Sequence, residues 1–200
     1  MLTVPLAARL GETFAGFGAR VLCEAVVAGK LAEVRRALDG GADPNALVAV
    51  QGAGGTGTAL VQAAANGQLE AAALLLDHGA SPDKPDSKGY TPLMAAAATD
   101  HAAVVGLLAE RGADLHATDP EGFTAFHFAC ANNQTGCVAV LVRAGCDMTA
   151  KTKDGQTGKV LAERLGHTDV LECLRDLVAK RLGEASRGDS TANLLVPCLL

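Results

Sequence analysis

Two hundred residues, 49% hydrophobic and 20% charged, are enough for one sizeable core. A formal net charge of -5 argues against the basic footprint of a nucleic-acid-binding domain and decides nothing else about partners. With five Phe, one Tyr and no Trp, the core has to be built from Ala, Leu and Val, which suits thin layers of closely packed helix.

The chain opens with Met1–Phe14, which lacks the charged head and long apolar middle of a secretory signal. Arg9 and Arg20, opposed only by Glu12, leave two readings of residues 1–17 open: a short cap on the first repeat, or an organellar targeting segment. From Gly18 the chain repeats itself. A shift of 33 residues lays Gly89 on Gly122 and Gly155, Thr91 on Thr124 and Thr157, and Gly112 on Gly79 and Gly145. Self-similarity at that period is the mark of a solenoid.

Repeat one covers Gly18 to Asn45. Leu22, Ala25 and Val26 mark its first helix and Gly29 breaks it; Leu31, Val34, Ala37 and Leu38 then give one apolar side of a second helix. Gly40-Gly41 supplies the left-handed residue that ends it. Repeat two holds Thr58 through Ala64, a break at Gly67, and Leu69 to Leu76. The connection before it is longer, since Gly41 to Gly79 is 38 residues against 33 elsewhere. The extra residues fall within Ala46–Gly57. In repeat three Thr91 is placed to cap a helix whose first turn tolerates Pro92, and Leu93, Ala96, Val104, Leu107 and Leu108 face the core. Repeat four, Gly122 to Asp147, carries Asn133 in place of the mid-repeat glycine. Repeat five starts at Lys153-Asp154-Gly155, puts Lys159 where the others have Leu or Phe, and runs its second helix to about Arg181, as a terminal repeat with a polar outer face should. Gly183–Asn193 is polar and reads as a disordered linker. The apolar Leu194–Leu200 after it reads either as a fold-back onto the solenoid or as a docking segment. Its Cys198 is third from the end of the sequence, where a prenylation box requires fourth. No run of about 18 apolar residues occurs, so no spanning helix is expected.

Gly89-Tyr90-Thr91-Pro92-Leu93-Met94-Ala95-Ala96-Ala97 and Arg111-Gly112-Ala113-Asp114-Leu115-His116-Ala117 together resemble the ankyrin repeat, and the resemblance covers about Gly18–Leu182. It implies an all-α repeat solenoid, an ankyrin-repeat stack of about five helix-turn-helix repeats with short β-hairpin fingers. Residues 1–17 would then be a cap or targeting segment, 18–182 the repeat domain and 183–200 a flexible tail. The resemblance also implies a non-catalytic protein–protein interaction module, an adaptor, inhibitor or targeting subunit, that grips another protein by its finger tips and concave groove. Carried onto this chain, the finger leading into repeat three offers Ser87, Lys88 and Tyr90, with Thr99 on its helix. The fourth finger offers Glu121 and Phe123, with Asn132; the fifth offers Lys153, Asp154 and Gln156, with Arg164. Tyr90 and Phe123 occupy equivalent positions and are expected side by side, about 10 Å apart, as an outward-facing anchor pair. The opposing reading folds each ring onto its own helix. No cofactor, nucleic acid or membrane partner is expected, and the chain is expected to be monomeric on its own, in cytoplasm or nucleus unless the N-terminal segment directs it to an organelle.

Other residues invite catalytic or metal readings and support them less well. Of the six cysteines, Cys130, Cys146, Cys137 and Cys173 take the repeat positions of Ala97, Ala113, Val104 and Leu74, and Cys23 that of Met94; only Cys198 is out of register. They read as core thiols in a reducing compartment. His127 and Cys130 have no Cys pair to complete a zinc set. By the resemblance, His127 steadies its hairpin through hydrogen bonds. Gly52-Ala53-Gly54-Gly55-Thr56-Gly57 matches G-x-G-x-x-G, and Asp77 lies where a ribose-binding acid would be sought. Asp77 nevertheless ends a helix, and Gly67 divides the region, leaving no room for a βαβ unit. A lengthened, flexible finger is the preferred reading, with a nucleotide-binding enzyme using Gly52–Gly57 as the alternative function. The tripeptide Arg187-Gly188-Asp189 reads as chance.

Overall fold

A computed structural model describes residues 14–50 and 55–185. Among them ten helices form five hairpin pairs. The pairs are α1 (Phe14–Val27) with α2 (Leu31–Asp39), α3 (Ala59–Ala65) with α4 (Leu69–Asp77), α5 (Pro92–Ala98) with α6 (Ala102–Glu110), α7 (Ala125–Ala131) with α8 (Thr135–Ala144), and α9 (Gly158–Leu165) with α10 (Thr168–Ala185). First helices pack in one row, α1 on α3 on α5 on α7 on α9, and second helices in another. The expected readings of residues 1–13, of Gly52–Gly54 and of residues 186–200 lie outside the described residues.

Each local choice has a physical cause. The four later first helices begin at a threonine whose hydroxyl meets orphan amides: Thr58 Oγ1 accepts from Val61 N at 3.2 Å, Thr91 from Met94 N at 3.3 Å and Thr157 from Val160 N at 3.4 Å. Thr124 forms a capping box with His127. Each such cap is worth about 1 kcal/mol. The turn between the paired helices needs one left-handed residue. Asn133 (φ 59°) supplies it in repeat four and Asp100 (φ 64°) in repeat three, since short polar side chains tolerate that region better than others.

One contiguous core runs from Leu22 to Leu174. It is mostly Ala, Val and Leu, and small side chains such as Ala63, Ala64, Ala96, Ala97 and Ala129, all fully buried, let neighbouring helices approach closely. Two details depart from the sequence reading. Val105 is fully buried whereas Leu107 is only half-buried, because a helix between two neighbours buries a wider arc than one apolar stripe. Gly183–Ala185, read as linker, continue α10.

The long connection before α3 is a true hairpin: β1 (Val48–Val50) pairs antiparallel with β2 (Gly55–Gly57), Ala49 opposite Thr56. The later fingers are tighter turns closed by a side chain. Asp86 Oδ1 accepts from Lys88 N and Tyr90 N at 2.8 and 2.9 Å; Asp119 Oδ1 accepts from Glu121 N and Phe123 N at 2.9 and 2.8 Å. Fingers also brace one another. Ser87 N donates to Thr56 O at 2.8 Å, and Lys153 N to Glu121 O at 3.0 Å.

Gly89 shows how tight this bracing is. Its φ is +87°, and a Cβ there would fall 2.6 Å from Cδ of Pro120 in the next finger. Gly89→Ala is expected to cost about 2–4 kcal/mol, backbone strain and displacement of Pro120 together. Gly79→Ala, at φ +85° with nothing within 4 Å, should cost the strain alone. The difference between the two in urea unfolding measures the finger contact, and equal costs would remove it.

Candidate interaction surface

The fingers and the exposed edge of the first helices form one surface, and its aromatic residues lie in the middle. Tyr90 is 36% exposed. It crosses to the next repeat and meets the ring of Phe128, on α7, edge-on at 5.4 Å and 84°. Phe123 is half-buried and folds onto its own helix, 5.6 Å from Phe128 and 5.8 Å from His127. The two rings expected as an anchor pair both converge on Phe128 and make one patch spanning repeats three and four. Edge and tilted geometries at these separations suit the ring quadrupoles. Phe128 was missed because its equivalents, Ala95 and Leu161, are aliphatic, so the repeat alignment gave no reason to single it out. The visible signal was an aromatic side chain at a position otherwise filled by smaller groups.

The remaining expected contact residues are placed unevenly. Lys88, Glu121, Lys153 and Asp154 are exposed on successive fingers. Ser87 is exposed, yet its Oγ accepts from Thr56 N at 2.9 Å, so part of its capacity is spent bracing β2. Thr99 Oγ1 donates to Ala95 O and Asn132 Nδ2 to Phe128 O, both at 2.9 Å, at the ends of α5 and α7. In repeat five the residue in register with them is Leu165, 49% exposed; Arg164, also exposed, lies one position earlier. Gln156 is not at a tip. It is half-buried, its carbonyl accepts from Thr152 N at 2.9 Å, and its side-chain Oε1 is buried without a hydrogen bond.

His127 ties this surface to the core. It is fully buried. Nδ1 accepts from Thr124 N at 3.2 Å, which leaves Nε2 to carry the proton and donate to Ala150 O at 3.0 Å and to Gln156 O at 3.3 Å. One ring thus joins the start of α7 to both sides of the fifth finger, as the resemblance implies. Burial pulls its pKa below the ordinary value; the bonds to Gln156 and Ala150 and the charges of Asp119 and Asp147 resist that pull.

Four of the described thiols are poorly suited to nucleophilic work. Burial, aided by Glu24, pushes the Cys23 thiol up to about 11; burial and then Asp100 push Cys137 up to about 12. Burial also raises Cys130 and Cys173. Among the described residues no group of three His, Cys, Asp or Glu could hold a metal ion, and no helix is long and apolar enough to cross a membrane. The two described strands beside the glycine run are antiparallel, and Asp77 pairs with Arg111 at 2.8 Å at the end of α4, so the parallel unit that a dinucleotide turn needs is not built there.

Family models agree with this architecture. A model for ankyrin repeats (3 copies) matches residues 22–119 and a model for ankyrin repeats (many copies) matches residues 107–157. The chain belongs to the ankyrin-repeat family. A search of curated proteins finds no match. Ankyrin repeats are in general protein–protein interaction modules.

Proposed function

We propose that this chain is a non-catalytic binding protein, an adaptor, inhibitor or targeting subunit, that grips one partner protein across repeats three and four. Tyr90, Phe128 and Phe123 form the apolar anchor. Lys88, Glu121, Lys153 and Asp154 form a rim of mixed charge, with Ser87, Thr99, Asn132, Gln156 and Arg164 beside it. The observation that carries this reading is the position of Tyr90. A ring needed only for packing would be buried, but this one bridges two repeats while more than a third of its surface stays open. Aromatic anchors ringed by polar contacts are where binding energy concentrates. The fingers are also braced by Asp86 and Asp119 before any partner arrives, which lowers the entropy cost of binding.

The test is affinity capture from native cells with the intact chain, followed by affinity measurement on the isolated partner. Tyr90→Ala and Phe123→Ala together should weaken binding at least about 30-fold, the size of a hot-spot loss, while the far-ultraviolet circular dichroism stays that of the folded chain. Binding unchanged in the double variant would end the anchor assignment.

A further inference from the structure

The stack ends in a cleft of about 450 Å³ bounded by α9, α10 and the segment from Met148 to Lys151. It lies on the face where a sixth repeat would stack. In repeat four the buried Phe126, Cys130, Val138, Leu141 and Val142 occupy the positions that a shift of 33 carries onto Lys159, Glu163, Leu171, Leu174 and Arg175. Three of the five have become charged, which is what a terminal repeat needs to stay soluble. Leu171 and Leu174 have not, and Val178 extends them by a turn. An aliphatic strip on α10 is therefore left at the end of the stack, flanked by Lys159, Glu163 and Arg175. Leu171 and Val178 are only half-buried, whereas the equivalent Val138 of the preceding repeat is fully covered.

The sequence beyond α10 carries a matching segment. Eight polar or small residues, 186–193, separate Ala185 from Leu194-Leu195-Val196-Pro197-Cys198-Leu199-Leu200. We propose that Leu194–Leu200 seats on the Leu171–Leu174–Val178 strip. Tether length permits it. From Ala185 back to Leu171 is about 21 Å along a helix, and eight extended residues reach about 27 Å. The chemistry matches as well, since Leu and Val side chains suit an aliphatic strip. Tethering raises the effective concentration of the segment to the millimolar range, so even a weak apolar contact is populated.

Cys198 makes the seating measurable in the intact chain. Four of the five described cysteines are buried, and burial holds Cys23, Cys130, Cys137 and Cys173 protonated. Val178→Cys places a partner thiol on the strip, while Ala179→Cys, exposed and one residue away, has nearly the same tether and points elsewhere. Under oxidised glutathione, the 178–198 disulfide should form at least tenfold faster than the 179–198 disulfide, and Leu195→Asp with Leu199→Asp should abolish the difference. Equal rates, or a bridge between two molecules, would overturn the proposal, the second by showing end-to-end pairing of copies. Hydrogen exchange without any added cysteine is the second measurement. Leu195→Asp with Leu199→Asp should accelerate exchange of the 171–178 amides at least tenfold, and unchanged protection would overturn the proposal by itself.

Discussion

Phe126→Ala is expected to destabilise the protein by about 3–5 kcal/mol, the cost of emptying a filled core site. Among the described residues Phe126 is the largest fully buried side chain, 1% exposed. Its ring lies directly on the backbone of Gly158, where an added Cβ would sit 2.6 Å from a ring carbon. α9 has no side chain there to move into the space, and the small Ala129 and Cys130 nearby cannot fill it either. In a solenoid each repeat is held only by its neighbours, and among the repeats the last has a single one. The loss should therefore fall mostly on α9 and α10. Hydrogen exchange should show their amides opening well before those of α3–α6, alongside a lower urea midpoint. A uniform loss of protection along the stack would contradict the nearest-neighbour account.

The architecture was legible because a solenoid repeats its instructions. Thr91, Thr124 and Thr157 each start a helix for the same reason, and a shift of 33 exposes all three at once. Core assignments transferred equally well, down to the cysteines standing in for Ala97, Ala113 and Val104. The surface was less legible, because a repeat says nothing about contacts between non-equivalent positions. Tyr90 meets Phe128 rather than Phe123, a pairing that depends on how far one finger leans over the next helix. Ser87 and Gln156 read as free tips, yet one braces β2 and the other sits beneath the finger. These placements come from distances between backbones, which periodicity does not encode. Asp100 in the left-handed turn of repeat three belongs between the two cases: its alignment with Asn133 and Gly67 was there to be read.

His127→Ala is expected to cost about 2–4 kcal/mol and to flatten the acid side of the stability profile. Removing the ring strands the Thr124 amide and the Ala150 carbonyl, while Gln156 O keeps its bond from Thr152 N, and a buried group left unpaired costs about 1–3 kcal/mol. The pH effect has a definite sign. Folding lowers the His127 pKa from its ordinary 6.5, so below that value the unfolded chain binds the extra proton more readily than the folded one. Stability is then full above about pH 6.5 and falls as the pH drops through it. Protonating Nδ1 would also remove the bond that it accepts from Thr124 N, leaving Thr124 Oγ1, 2.9 Å away, as its acceptor. Asp147 is depressed chiefly by its bonds from Thr149, and it contributes a loss only as the pH falls below the carboxylate range. Urea unfolding between pH 8 and pH 5 thus isolates the histidine. Over that interval the intact chain should lose stability more steeply than His127→Ala. Parallel curves would mean that another group titrates there and that the buried ring does not control the junction between repeats four and five.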